Sequence, residues 1–188
     1  MRDKSMIIAL LAGGIIALAA CSANNGSGSP AGQEQESGVI VDETVDMPNP
    51  WTETAELEEA EKATGIDFEP LFAEAVPEGL NFVTYRYTDT ILEAVYQGGD
   101  NEMIVRTSTQ VDGEALTGDY NAYSKEWDEE IGGSIVHCKG DGKLTNCAYA
   151  DVRSVHLAVL YNAGEEGKGL DSEGLNAVFT GITAVPME

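Results

Sequence analysis

Apolar and polar positions follow different patterns along the chain. From Met6 to Ala20 every position is apolar or small, behind the cations Arg2 and Lys4. From Ser22 to Gly38 almost nothing is apolar, and Ser, Gly, Asn, Gln and Glu dominate. Beyond Met47 the spacing is first helical, then alternating, then helical again.

Leu57, Ala60 and Ala63 or Thr64 recur at helical spacing. They predict a short helix with Thr52 or Thr54 capping its start and Gly65 stopping it. Ile66 to Gly79 carries Phe68, Leu71, Phe72 and Val76, but Pro70 and Pro77 break any regular element. It reads as an irregular connection holding one helical turn. Strands are predicted at Leu80–Tyr87, Ile91–Gln97, Glu102–Thr109, Ser134–Lys139, Leu144–Ala150 and Ser154–Tyr161. In the second of these, Leu92, Ala94 and Tyr96 share a face. Gly98-Gly99-Asp100-Asn101 and Gly140-Asp141-Gly142-Lys143 read as hairpin turns. Val111 to Gly133 is a long polar interruption containing Tyr120, Tyr123 and Trp127. It is either a strap with its aromatics turned inward or a functional loop. The last helix is capped by Asp171 or Ser172, with Leu175, Val178, Phe179 and Ile182 on one stripe.

The fold class predicted is α+β: an antiparallel sheet of about six strands with an N-terminal and a C-terminal helix packed on one face. The organisation predicted is a leader over 1–20, a tether over 21–46 and a single domain over 47–188.

The first run has the form of a secretory signal, with cations ahead of an apolar stretch that ends in small residues. It is shorter than the roughly 20 apolar residues a membrane span needs. Leu18-Ala19-Ala20-Cys21 reads as a lipobox, so Cys21 is the predicted lipidation site and the first residue of the processed chain. Each acyl methylene buried contributes about 0.8 kcal/mol, and two or three chains give stable anchoring. The expected location is outside the cytoplasm, on the cell membrane. The Gly/Ser-rich stretch behind Cys21 has the reach of a flexible coil, about 20–25 Å, which lifts a domain clear of lipid headgroups.

Charge narrows the partners. The chain has 33 Asp and Glu against 10 Lys and Arg, a formal net charge of −23. Nucleic-acid binding depends on cations that neutralise phosphates, so no nucleic-acid partner is expected. Anionic headgroups repel such a surface, which leaves the N-terminal lipid as the membrane contact.

Outside the cell, disulfides persist. Counting symmetrically outward from the Gly142–Lys143 turn, Cys138 faces Cys147, at a separation that a disulfide accepts. The prediction is a cross-strand disulfide between them. Zinc held by His137, Cys138, Cys147 and His156 is the rival, but adjacent strand residues such as His137 and Cys138 point to opposite faces. No metal site, cofactor loop or catalytic set is read from the chain. It has no Gly-x-Ser-x-Gly turn between strand and helix, and no glycine-rich phosphate cradle. Asp112 to Asn121 is rich in oxygen ligands but lacks EF-hand spacing.

Asn49-Pro50-Trp51, Leu57-Glu58-Glu59-Ala60, Thr64-Gly65-Ile66, Glu93-Ala94-Val95-Tyr96, Arg106 and Leu116-Thr117-Gly118-Asp119-Tyr120-Asn121 occur in this order. The series resembles a family of small, uncharacterised lipoproteins and envelope-exposed domains of Gram-positive bacteria, a domain also found in anti-sigma-factor-like proteins. The resemblance covers most of Asn49 to Ile182. It implies an antiparallel sheet with flanking helices and carries over no catalytic residue. The paired Cys138 and Cys147 depart from the pattern.

The functional expectation is a surface-tethered, non-enzymatic interaction or sensing domain with a protein or glycan partner. Its binding surface is placed on the uncovered sheet face, with Tyr120, Tyr123 and Trp127 near the edge. An envelope hydrolase acting on peptide or glycan, and a cation-binding lipoprotein, are the alternatives.

Overall fold

A computed structural model describes residues 49–187. The leader, Cys21 and the tether lie outside the described residues. In chain order the elements are β1 (Thr52–Thr54), α1 (Leu57–Thr64), β2 (Ile66–Glu69), a 3-10 turn (Ala73–Ala75), β3 (Asn81–Tyr87), β4 (Ile91–Gly98) and β5 (Asn101–Ser108). There follow α2 (Gly113–Thr117), β6 (Lys125–Ile131), β7 (Ser134–Gly140), β8 (Thr145–Val152), β9 (Val155–Tyr161), α3 (Ser172–Gly181) and β10 (Thr183–Pro186).

Eight strands form one antiparallel sheet in the order β1-β3-β4-β5-β9-β8-β7-β6. Two meanders, β3–β5 and β6–β9, meet where β9 pairs with β5. The connection from β5 to β6 carries the chain to the far edge of the sheet. The sheet is larger than the six strands predicted. One added strand, β1, occupies the stretch read as a helix cap. The other, β6, lies in the polar interruption, where KEWDEEI places Glu126, Asp128 and Glu130 outward and Trp127, Glu129 and Ile131 on the inner face. β2 pairs with β10 as a separate two-stranded ribbon, although Ile66–Glu69 was expected to be irregular. Its alternation of buried Ile66 and Phe68 with exposed Asp67 and Glu69 is a strand pattern too short to stand out beside Pro70.

The front face of the sheet carries the main core. One cross-strand row runs Tyr85, Ala94, Val105, Val159, Ala148 and Cys138, ending at Trp127 on β6. Ala60 of α1, Ile66 and Phe68 of β2, and Leu175, Val178 and Phe179 of α3 pack in the same cluster. Gly65 ends α1 in the left-handed conformation at φ 69°, as a helix-stopping glycine should. Asp171 caps α3, its Oδ1 accepting from Gly174 N at 2.8 Å. On the back face, α2 lies over β5, β8 and β9, its start capped by Asp112, which accepts from Ala115 N at 2.9 Å. Leu116 of α2 and the back-face residues Val95, Cys147, Ala158 and Leu160 are buried.

The β7–β8 hairpin corrects the predicted disulfide. Near the turn, Gly140 pairs with Thr145 as symmetric counting requires. The register then shifts by one, so Lys139 faces Cys147 and Cys138 faces Ala148. Asn146 is the extra residue of this bulge, and a one-residue slip moves a side chain to the other face. Cys138 points to the front and Cys147 to the back. Both thiols are free and buried.

Candidate functional site

Pro70 and Pro77 bracket an arch built round the 3-10 turn, and the arch stands against the start of β3. Two glycines seat it. A Cβ on Gly98 would lie 1.7 Å from the Gly79 carbonyl oxygen, and one on Gly181 of α3 would lie 2.8 Å from Ala75 Cβ. Only a residue without a side chain fits at either place. Leu80 N donates to Pro77 O at 3.1 Å and closes the arch on β3.

Between arch and sheet lies a cleft of about 410 Å³, lined by Leu71, Val76, Leu80, Phe82, Tyr85 and Tyr96 among others. The three aromatic rings pack together. Phe82 and Tyr85 centroids lie 4.5 Å apart, and Phe82 meets Tyr96 edge-on at 5.8 Å, which suits the ring quadrupoles. Phe72, Phe82 and Val83 are exposed at and beside the mouth. Tyr96 is 2% exposed, and its hydroxyl, closed off from solvent, makes no hydrogen bond of standard geometry among the described residues, although the Leu71 backbone is close enough to oppose part of its pKa rise. Burial pushes the Tyr96 hydroxyl up to about 12, so it stays protonated and able to donate. Burial, then the charge of Glu61, also raises Tyr85. Asn81 also lines the cleft, and an apolar concave site with a few polar groups is the usual form of a ligand pocket.

The cleft adjoins an open sheet edge. β1 pairs only with Tyr85, Arg86 and Tyr87. Asn81–Thr84 of β3 has no strand on its outer side among the described residues, and a β-bulge interrupts its pairing with β4 between Phe82 and Thr84.

A second cluster occupies the back face. Arg86, Glu93 and Arg106 stand side by side on β3, β4 and β5. Glu93 is fully buried. Its Oε2 accepts from Arg86 Nη2 at 2.6 Å, and its Oε1 accepts from Arg106 Nε. Trp51 stacks on both guanidinium groups, at 5.7 and 5.6 Å from the ring centroid. Arg106 also donates to Thr117 O and, at 3.2 Å, to Leu116 O at the end of α2. All these contacts are internal, and they pin α2 to the sheet.

The predicted interaction residues do not converge. Trp127 faces the front, its Nε1 donating to Glu129 Oε1 at 3.0 Å. Tyr120 is 97% exposed in the segment after α2. Tyr123 donates to Asp119 Oδ2 and accepts from Gly164 N at 2.9 Å, tying two back-face loops together. Burial, then the Asp119 hydrogen bond, raises its pKa. The four residues weighed for zinc are also apart. His137 pairs with Asp128 at 2.7 Å and His156 with Asp151 at 2.6 Å, while Cys138 lies on the opposite face. Among the described residues no three His, Cys, Asp or Glu side chains are grouped to hold a metal ion.

The aromatic cleft was missed as a site by sequence reading. Tyr96 lies on one face with Leu92 and Ala94, as the alternation in that strand predicts. What the sequence lacked was the arch, which turns a core face into a pocket wall.

No family model, curated protein or solved structure matches this chain.

Proposed function

We propose that this protein is a lipid-anchored, non-enzymatic binding module of the bacterial envelope, and that the cleft between the arch and β3 is its ligand site. The observation that carries the binding role is an apolar cleft walled by Phe82, Tyr85 and Tyr96, with exposed aromatic and aliphatic residues at its mouth and an unpaired sheet edge beside it among the described residues. The signal-like leader and the lipobox ending at Cys21 support the location. The likeness to envelope-exposed lipoprotein domains accords with it.

The test combines two labels in the native host. Metabolic labelling with an alkynyl fatty acid reports lipidation, and Cys21→Ala should abolish it. A photo-crosslinking amino acid placed at Phe72 or Val83 should trap ligand. The same group at Ile135, an exposed apolar position on β7, should trap none. Absence of lipid label ends the anchoring part of the reading. Equal crosslinking from all three positions ends the assignment of the cleft.

A further inference from the structure

We infer that the cleft and the open edge of β3 together recognise an extended, basic peptide segment that adds to the sheet beside Asn81–Thr84 and places one aromatic side chain in the cleft. The inference rests on the assignment of the cleft as the ligand site and names its ligand class.

Three features select this occupant. The first is the backbone. β1 stops at Thr54, opposite Tyr85, so the outer backbone groups of Asn81–Thr84 have no strand partner among the described residues. An open edge beside side-chain pockets is how proteins bind extended peptides: main-chain hydrogen bonds supply affinity, and pockets for alternate side chains supply choice. Phe82 and Val83 lie on this edge and are exposed.

The second is the cleft. Its walls are aromatic and aliphatic, with the Phe82, Tyr85 and Tyr96 rings among them. A flat aromatic side chain such as tyrosine fits such walls by ring packing.

The third is charge. The arch and its approaches carry Asp67, Glu69, Glu74 and Glu78, all exposed, with no Lys or Arg from Ala63 to Tyr85. The whole chain stands at −23. Such a rim steers cations toward the site and repels acidic segments.

The probe is a synthetic, fluorescently labelled peptide, Lys-Val-Lys-Tyr-Lys-Val-Lys, titrated by anisotropy onto the processed lipoprotein in phosphatidylcholine nanodiscs, with empty nanodiscs subtracted. Saturable binding that weakens as salt rises is expected. A Tyr→Ala peptide should bind at least about tenfold more weakly, because the cleft then lacks its aromatic occupant. N-methylation of alternate peptide amides should weaken binding at least about tenfold by removing strand pairing. Replacing each lysine of the peptide by glutamate should abolish binding.

Equal affinity of the N-methylated and parent peptides would overturn the edge-pairing proposal. Equal affinity of the Tyr→Ala peptide would overturn the placement of an aromatic side chain in the cleft. If removal of residues 22–46 is required before the peptide binds, the chain's own segment is the occupant, and the inference fails. Crosslinks from Phe72 and Val83 in the host, together with no peptide binding, would leave the cleft assignment standing and reject the peptide class. Loss of both would reject the two together.

Discussion

Glu93 and Arg106 sit opposite one another on β4 and β5, and the carboxylate is fully buried while its partner holds the end of α2. This pair, completed by Arg86, is a charge cluster that cannot lose one member cheaply. Breaking a buried ion pair strands the remaining charge, at about 3–5 kcal/mol. Glu93→Gln and Arg106→Met are each expected to lower stability by that amount in urea unfolding. Replacing Arg86, Glu93 and Arg106 together by leucine should cost much less than the sum, because no stranded charge remains.

How much of this was legible in the sequence varies by element. β3, β4, β5, β7, β8 and β9 were readable because alternation and hairpin turns mark them, and α3 because its stripe and Asp171 cap coincide. β6 was not, since Glu126, Asp128 and Glu130 make an outer edge strand look like a polar loop. The Asn146 bulge was invisible because nothing local distinguishes it from a regular ladder position, yet it decides which face each cysteine takes. The aromatic cleft depends on Gly98 and Gly181 giving room to an arch distant in sequence, a relation no periodicity contains.

The bulge has a direct chemical consequence. Cys138 and Cys147 lie on opposite faces and both are buried, so the folded protein should retain two thiols without reductant. Maleimide should label neither residue in the native state and both in guanidinium chloride. A mass two hydrogens lower, restored by reductant, would show that the pair is joined after all.

Asn146 itself holds the loop that follows β9. Its Nδ2 lies 3.1, 3.3, 3.0 and 3.0 Å from the carbonyl oxygens of Tyr161, Asn162, Glu165 and Lys168. Asn146→Ala removes this shared donor, although Asn162 O and Glu165 O keep backbone donors from Glu165 N and Lys168 N, and is expected to cost about 1–3 kcal/mol. Asn146→Asp should cost more, because it turns a carboxylate on four carbonyls. Thermal melting ranks the variants, and hydrogen exchange over residues 162–168 should rise in both.

Gly98 tests whether the arch is pre-formed. A methyl group there would collide with the Gly79 carbonyl oxygen, so Gly98→Ala must displace the arch from the sheet. The expected loss is about 1–3 kcal/mol, typical of overpacking. Ligand crosslinking from Val83 should fall with it. Gly99→Ala is a weaker perturbation sterically, since nothing lies within 4 Å of its added Cβ, although its φ of 60° adds local strain. That variant should leave the cleft's crosslinking intact.

Alkaline pH should unfold the domain through the same buried groups. Burial, aided by the charge of Glu129, pushes the Cys138 thiol up to about 12. Burial, aided by Asp119, does the same for Cys147, and burial does so for the Tyr96 hydroxyl. In each case the folded pKa lies above the unfolded one, so the folded state binds more protons once the unfolded groups begin to titrate. The stability these groups contribute is therefore fully present below pH 9, where the unfolded thiols begin to ionise, and is lost as pH rises through the folded values near 12. Urea midpoints should be level through neutral pH and fall progressively above about pH 9. Cys138→Ala with Cys147→Ala should begin from lower stability, because two buried groups are trimmed, but should decline less steeply between pH 9 and 10. Tyr96→Phe should flatten the curve only above pH 10, where the unfolded phenol ionises. A wild-type curve that stays level to pH 12 would mean that the thiols and the phenol ionise without unfolding the domain, which contradicts their burial.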